Sequence, residues 1–452
     1  MRTPASAKLC ALLGCRVPIL SAGMGGPARS ELVSAVTAAD GFGFLGMVRE
    51  RVDLIRREVE AVRRDGHQRF GVNLIPFSTP PALLQQQIAL CIELSVPVVC
   101  MFWDLDPAAI AALKQAGIRV AWQVGSLAEA VAAELAGVDI LIAQGREAGG
   151  HVRGTERLGV LLPDIVDAVD IPVVAAGGLS SGADLVTALS LGAAGVMLGT
   201  ALLATQESFA HDYHKQRLVE ADAEDTVLTE DFHVNWPPGA AVRVLKSALV
   251  ASQASEDPVV AHDDGRPIPR FSTDSPLRTT TGALDRMALY AGTGVGSVHA
   301  VEQAGTVVRQ IMDDAMASLE PGAGSAELAS SVCYLADGPA SGQALTEEVR
   351  REVDALGATL RAILRQYLRE RPDAPALAPF NAVAHAYGRH ALLLGAANVP
   401  AEPPRASVAQ AELALFESLE QLLPRLGSSE LQQQLLQLAG FLRGRLAPRA
   451  DR

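Results

Sequence analysis

The sequence predicts an α/β protein that begins with a (β/α)8 TIM barrel and ends in an all-α domain. Eight short apolar runs lie between residues 17 and 200, and each is followed by a stretch with helical periodicity. Strands that are covered on both faces are apolar at consecutive positions, as these runs are. No strand-like run follows residue 322 in the sequence, which predicts the all-α domain.

The eight predicted strands are Val17–Ser21, Gly43–Met47, Phe70–Ile75, Val96–Phe102, Arg119–Val124, Asp139–Ala143, Ile171–Ala176 and Gly195–Leu198. The predicted helices between them are Ser30–Ala39, Val52–Arg64, Pro80–Leu94, Pro107–Ala116, Ser126–Ala136, Gly159–Val169 and Ser181–Leu191. Gly117, Gly137 and Gly192 follow three of these helices, where a helix often ends in a left-handed residue. A Rossmann fold is the weaker alternative, because no Gly-x-Gly-x-x-Gly follows the first strand.

The composition is that of a two-domain globular protein, with 452 residues, 49% hydrophobic and 20% charged, and a formal net charge of −13. No basic block is present to neutralise phosphates, so nucleic acid is not an expected partner. No apolar run reads as a membrane span and the N-terminus lacks a signal peptide, so we expect a cytoplasmic protein. The five cysteines lack the spacing of a disulfide framework or a zinc site.

The most informative segment follows the sixth predicted strand. Residues Gln144–His151 read Gln-Gly-Arg-Glu-Ala-Gly-Gly-His, which places an imidazole at the tip of a strand. The glycines before His151 allow a ligand to approach the backbone, and the catalytic residues of barrels lie at these strand ends. We therefore expect His151 to be catalytic rather than a structural histidine.

Glycine-containing loops follow the seventh and eighth predicted strands. Ala175–Leu179 contains a Gly-Gly pair, and Met197–Thr200 ends in Gly-Thr at the start of a helix. Backbone N–H groups in such loops bind anions, and barrels commonly hold phosphate at this pair of strands. These loops predict a cofactor that carries phosphate, although tight turns alone would also use glycine here.

Several motifs, taken in order, resemble those of the nitronate monooxygenase family, formerly called 2-nitropropane dioxygenases, which are FMN-dependent barrels. The matching segments are Pro18–Met24, Gly71–Leu74, Gln144–His151, Ala176–Gly178, Leu198–Thr200, Trp236–Pro237, Arg243–Leu245 and Met287–Gly292. The last three resemble the part that closes the site in one branch of the family. The resemblance implies a flavin-dependent oxidoreductase with FMN as its cofactor.

The resemblance also implies roles for individual residues. His151 would face the substrate, as a general base for a neutral nitroalkane or as a hydrogen-bond donor to an anionic nitronate. The residues that would bind FMN are Ala22, Gly23, Met24 and Asn73 at the isoalloxazine ring, Gln144 and Gly149 on the ribityl and phosphate side, and Gly178, Gly199 and Thr200 at the phosphate, with Gly150, Gly177 and Leu198 beside them.

The chain departs from the family's motifs at three positions. Met197 stands where many members have Gln, Gly23 where Pro is usual, and Thr293 where Gln is common. Backbone contacts survive such changes better than side-chain contacts do. The sequence therefore supports FMN more strongly than it supports a particular substrate.

Residues 225–295 interrupt the rhythm of strand and helix. A segment of this length is usually a lid or a binding loop. The end of the fourth strand, Met101–Asp104, also points to the mouth of the barrel. The expected substrate-pocket residues are Gln123, His233, Trp236 and Tyr290.

No metal site is predicted. His211 and His214 lie close together on a helical stretch, but no third ligand has suitable spacing, and catalytic zinc normally needs three.

The predicted domains are an FMN-binding barrel over residues 1–322 and a helical domain over residues 323–452. Two sets of leucines in the second domain recur at spacings of three and four: Leu415, Leu419, Leu422 and Leu426, and then Leu431, Leu435, Leu438 and Leu442. This pattern favours a small helical bundle that packs on the barrel or forms a homodimer.

The leading hypothesis is FMN-dependent oxidation of a nitronate or nitroalkane by molecular oxygen, which gives a carbonyl compound and nitrite. The alternative is an FMN-dependent enoyl-thioester (enoyl-ACP) reductase that uses NAD(P)H, since that related barrel shares the motif around His151. The acidic chain shows no obvious basic patch for an acidic carrier protein, which lowers that alternative. A flavin-binding scaffold that recruits a partner through its helical tail is a third hypothesis.

Overall fold

Eight parallel strands form a barrel in the computed structural model, which describes residues 3–236 and 239–317. The barrel strands are Ile19–Ser21, Phe44–Gly46, Gly71–Leu74, Val98–Phe102, Arg119–Val124, Ile140–Gln144, Val173–Ala176 and Gly195–Leu198. Neighbouring strands follow the order one, eight, seven, six, five, four, three and two. A parallel bridge between Leu20 and Phe42 joins the first strand to the chain that enters the second, which closes the sheet. The predicted (β/α)8 barrel is confirmed.

Helices alternate with the barrel strands as the sequence predicts. The helices after the first seven strands are Ser30–Ala38, Val52–Arg64, Pro81–Glu93, Pro107–Gln115, Leu127–Leu135, Leu158–Val166 and Gly182–Ser190. Asp106 and Ser126 start two of them, because each side chain accepts a backbone N–H of the first turn. A further helix, Pro4–Leu13, precedes the first strand and was not predicted.

The sequence of the strands directs polar groups to one end of the barrel. Strand Val98–Phe102 is buried at every position, as the sequence predicts for a strand covered on both faces. Side-chain amides in the third, fifth and sixth strands occur near their carboxyl ends, at Asn73, Gln123 and Gln144. A site built from side chains therefore lies at that end.

The segment after the eighth strand contains regular structure. Its strand Val242–Leu245 pairs antiparallel with Thr226–Thr229 on one side and with Gly150–His151 on the other. A second small sheet combines Val259–Asp263, Arg266–Pro269 and Thr281–Gly282. The remaining elements are helices Thr200–Leu203, Asp212–Val219, Lys246–Gln253 and Ala304–Ala317, with 3-10 turns Ala223–Asp225, Leu284–Arg286 and Thr293–Ser297. The short strand at His151 was not predicted, since the sixth predicted strand ends at Ala143.

Contacts between residues divide the chain into two compact units. One unit consists of residues 8–180 and 194–311 and contains all eight barrel strands. The other contains, among the described residues, 3–7, 181–193 and 312–317. The predicted helical domain over residues 323–452 lies outside the described residues. None of the described helices is long and apolar enough to cross a membrane.

Two leucines test the burial that the barrel imposes. Leu141 in the sixth strand is 0% exposed, whereas Leu135 on a surface helix is 84% exposed. Leu141→Ala is expected to lower the free energy of unfolding by about 2 to 5 kcal/mol, because it leaves a cavity in the core. Leu135→Ala is expected to change it by less than about 0.5 kcal/mol. Equilibrium urea unfolding measures both, and equal losses would contradict the assigned core.

Candidate active site

A cavity of about 970 Å³ opens at the carboxyl ends of the barrel strands. All but two of the residues that the sequence proposes for the site line this cavity. They are Ala22, Gly23, Met24, Asn73, Gln123, Gln144, Gly149, Gly150, His151, Gly177, Gly178, Gly199, Thr200, Trp236 and Tyr290. The fold thus brings together residues from six strand ends and from the later excursion.

Leu198 and His233 do not line the cavity. The Leu198 side chain is buried elsewhere, and its carbonyl accepts the N–H of Ala22 at 2.9 Å. Met197 lines the cavity instead, which the alternation of side chains along a strand would have indicated. His233 is exposed, and its Nδ1 lies 2.7 Å from the carbonyl oxygen of Asp231.

The backbone around His151 is held from two sides. Val242 is the register partner of His151 in the antiparallel pairing, and the next N–H, from Val152, donates to the carbonyl of Ala241 at 2.9 Å. On the other side the Gln144 amide donates to the His151 carbonyl at 2.8 Å and accepts from the N–H of Arg153 at 3.1 Å. Both ends of this amide are therefore used to hold the strand-six loop.

The imidazole of His151 faces the cavity between aromatic rings. Trp236 stacks on it, with 3.5 Å between ring centroids and 20° between the planes. The ring of Tyr290 lies 6.0 Å away. Among the described residues, the buried Nε2 of His151 has no hydrogen-bond partner. A buried polar atom without a partner is costly, so this atom is a strong candidate to meet a ligand.

The surroundings of His151 favour its neutral form. Burial, and then the charge of Arg49, hold the pKa of His151 well below its usual 6.5. Desolvation penalises the charged imidazolium, and a nearby cation adds to that penalty. At neutral pH the ring therefore has one nitrogen that accepts a proton and one that donates.

The loops after the seventh and eighth strands border the cavity with glycines, and we call these two loops the cradle. Gly177 and Gly178 have φ of +107° and +73°, a conformation that suits glycine. A Cβ placed on Gly199 would have no atom closer than Ala22 Cβ at 3.9 Å. The protein itself therefore does not require glycine at position 199, and the space beside it is available to a ligand.

The segment around Tyr290 closes the site and is fixed at several points. A Cβ on Gly149 would lie 2.5 Å from the nitrogen of Gly292, so only glycine permits this approach. The Gly292 N–H donates to the Thr200 hydroxyl at 2.9 Å. The Tyr290 hydroxyl donates to the carbonyl of Thr273 at 2.7 Å. This hydroxyl therefore has a structural partner, although its ring borders the cavity.

Trp103 supports the site from behind. It has φ of +81°, and its ring meets Trp236 edge to face with centroids 4.9 Å apart. The Arg153 guanidinium lies over the Trp103 ring, 4.8 Å from the ring centroid. Of the segment Met101–Asp104, Phe102 borders the cavity. Trp103 therefore packs Trp236 against His151.

The two histidines considered for a metal have structural roles. His211 begins helix Asp212–Val219 and accepts the N–H of Tyr213 at 3.0 Å. His214 is buried, and its Nε2 lies 3.1 Å from the carbonyl oxygen of Tyr290. Within the described ranges, no group of three or more potential ligands could hold a metal ion.

Residues 6–314 match the model of the nitronate monooxygenase family. The chain belongs to this family. Its membership agrees with the barrel, with the histidine at the end of the sixth strand, and with the glycine loops after the seventh and eighth. The chain is therefore a flavin-dependent oxidoreductase.

One curated relative and two solved structures are similar to this chain over half of its length or more. A probable nitronate monooxygenase of Staphylococcus aureus is 31% identical, over 50% of this chain and 75% of the relative. The structure of a nitroalkane oxidase from Streptomyces ansochromogenes is 28% identical, with a TM-score of 0.57, and covers 72% of this chain and 99% of that one. The structure of FabK from Thermotoga maritima has the same sequence identity and TM-score, and the match covers 68% of this chain and 95% of that one.

The cavity fits a flavin by two structural tests. Its volume of about 970 Å³ lies within the usual range for a cofactor pocket. The open space at Gly199 and the left-handed glycines of the seventh loop suit a phosphate, which takes backbone N–H groups at close range.

Gly199→Ala tests this cradle. The added methyl group meets no protein atom, so the stability of the apo-protein should be unchanged, while flavin affinity should fall about ten- to a hundredfold through overpacking against the ligand. Gly296→Ala is the matched control, because its Cβ would make only van der Waals contacts, the nearest with the Ala223 nitrogen at 3.4 Å, and the residue is outside the cavity. Flavin fluorescence titration measures affinity, and equal affinities in the two variants would contradict the assignment.

Proposed function

We propose that this nitronate monooxygenase family member binds FMN and oxidises an alkyl nitronate or nitroalkane with molecular oxygen, giving a carbonyl compound and nitrite. When bound, FMN supplies the redox chemistry. The protein's part is to position the substrate, exclude water and move the proton.

The observation that carries the proposal is the buried Nε2 of His151, which has no hydrogen-bond partner among the described residues, in a residue that lines the cavity. A neutral imidazole accepts a proton from the carbon of a nitroalkane, or donates one N–H to an oxygen of a nitronate. The backbone pairing with Val242 and the packing of Trp236 hold the ring in one orientation, which such a transfer needs.

Different residues of the cavity would bind FMN and the substrate. The loops at Gly178 and Gly199 would hold the phosphate of FMN, and Ala22–Met24 with Asn73 would border its ring system. Trp236 would be an apolar wall for the substrate and would exclude water from His151. Similarity to a nitroalkane oxidase structure supports the same reaction class.

His151→Ala is the test of the proton transfer. With a neutral nitroalkane we expect kcat/KM to fall about 10²- to 10⁴-fold, because the general base is lost. With a preformed nitronate the fall should be smaller, since that proton has already gone. Oxygen uptake and nitrite release measure turnover for both. His233→Ala, an exposed histidine outside the cavity, is the control and should leave both rates unchanged.

Wild-type rates in His151→Ala would contradict the role of the imidazole. Turnover without nitrite would contradict the proposed reaction, even if His151 matters.

The pH dependence follows from the lowered pKa of His151. The active base is the neutral form, which persists down to a pH below 6.5. We expect kcat/KM for freshly dissolved nitroalkane to stay level from about pH 8 to about pH 6.5 and to fall only below that. His151→Asn should lack this acid limb. An acid limb centred above pH 6.5 would contradict the burial argument.

A further inference from the structure

Arg49 lines the cavity, and apart from the effect of its charge on the pKa of His151 it has no role in the site described so far. It follows the second barrel strand and lines the cavity near His151. Its φ is +57°, which is uncommon for a residue other than glycine, and such conformations cluster at functional sites. Its Nη1 donates to the carbonyl of Asn235 at 3.3 Å. That bond uses one of the five N–H donors that a guanidinium carries.

Arg49 differs from the other arginines around the cavity in its charge pairing. The four others each have a carboxylate within 4.0 Å: Arg29 with Glu50, Arg51 with Asp53, Arg57 with Glu58, and Arg266 with Asp274. Among the described residues, Arg49 has no such partner. A half-buried cation without a counter-ion favours the binding of an anion.

The surroundings of Arg49 provide no substitute for a ligand. Glu50 is its neighbour in sequence but binds Arg29 at 2.9 Å. Asp274 accepts from Arg266 at 3.0 Å and from the Ser272 hydroxyl at 2.8 Å. Both carboxylates near Arg49 are therefore already engaged by other side chains.

The position of Arg49 separates it from the phosphate cradle. The second strand lies between the first and third in the barrel, whereas the cradle belongs to the seventh and eighth. The bond to Asn235 places it beside the segment that carries Trp236, which stacks on His151. Arg49 therefore belongs to the part of the cavity that the substrate would occupy.

We propose that Arg49 binds the two oxygens of the nitronate group and makes the site prefer the anion over the neutral nitroalkane. This rests on the proposed function. A nitronate presents a planar O–N–O group with a full negative charge, and the planar guanidinium fork matches two such oxygens. The neutral nitro group has the same shape without the charge. Arg49 would then position the substrate, while His151 stays neutral beside it.

Arg49→Gln in the FMN-loaded enzyme tests this proposal, with Arg51→Gln as the matched control. Arg51 also borders the cavity, but its side chain is 85% exposed and paired. We expect Arg49→Gln to raise the KM for propyl nitronate about ten- to a hundredfold with kcat little changed. The dissociation constant of nitrite, a probe that needs no turnover, should rise similarly in an absorbance titration of the flavin. Arg49→Lys should recover part of both effects.

In Arg49→Gln, the inhibition constant of neutral 2-nitropropane, measured against oxidation of the nitronate, should change less than threefold. That change corresponds to a binding free energy on the order of 0.5 kcal/mol. An equal loss of affinity for the neutral compound and for the anion would overturn the proposal that Arg49 makes the site prefer the anion. An unchanged KM and nitrite affinity, an equal effect of Arg51→Gln, or loss of flavin from Arg49→Gln would each overturn the proposal. If propyl nitronate does not reduce the flavin of the wild-type enzyme, the proposed nitronate oxidation is overturned as well. The other outcomes leave that proposed function intact.

Discussion

The antiparallel pairing between Gly150–His151 and Val242–Leu245 is the interaction on which the site depends. The chain leaving the sixth strand is held there by backbone hydrogen bonds and, on its other side, by the Gln144 amide. Because backbone groups do this work, the imidazole needs no structural hydrogen bond of its own. The same pairing brings the excursion to the barrel mouth, and with it Trp236 and Tyr290.

The electrostatic character of the cavity changes from one side to the other. On the side of Gly178 and Gly199, backbone N–H groups and open space suit a phosphate. At the ends of the sixth and second strands, burial keeps His151 neutral, and Arg49 is the one arginine bordering the cavity that has no carboxylate within 4.0 Å among the described residues. The proposed nitronate and the phosphate of the proposed FMN would therefore contact different strand ends of one cavity.

The barrel could be predicted because buried parallel strands leave consecutive apolar residues, and His151 could be predicted because it follows glycines at a strand end. The strand at Gly150–His151 could not, since its partner near Val242 is distant in sequence and two residues carry no periodicity. Arg49 was missed because its lack of a partner depends on how other arginines pair in space. His233 was included because sequence does not tell which side of a turn faces the cavity. The helical domain predicted beyond residue 322 stays a prediction.

The most direct test of the proposed nitronate oxidation records the absorbance of the flavin in the absence of oxygen. The purified, FMN-loaded protein is mixed anaerobically with an alkyl nitronate in one cuvette and with NADH or NADPH in another, and the flavin absorbance is recorded. If the protein is a nitronate oxidase, the nitronate bleaches the flavin and the nicotinamides do not. Bleaching by a nicotinamide alone would contradict this proposal and favour the enoyl-thioester reductase, and a protein that holds no flavin would contradict both.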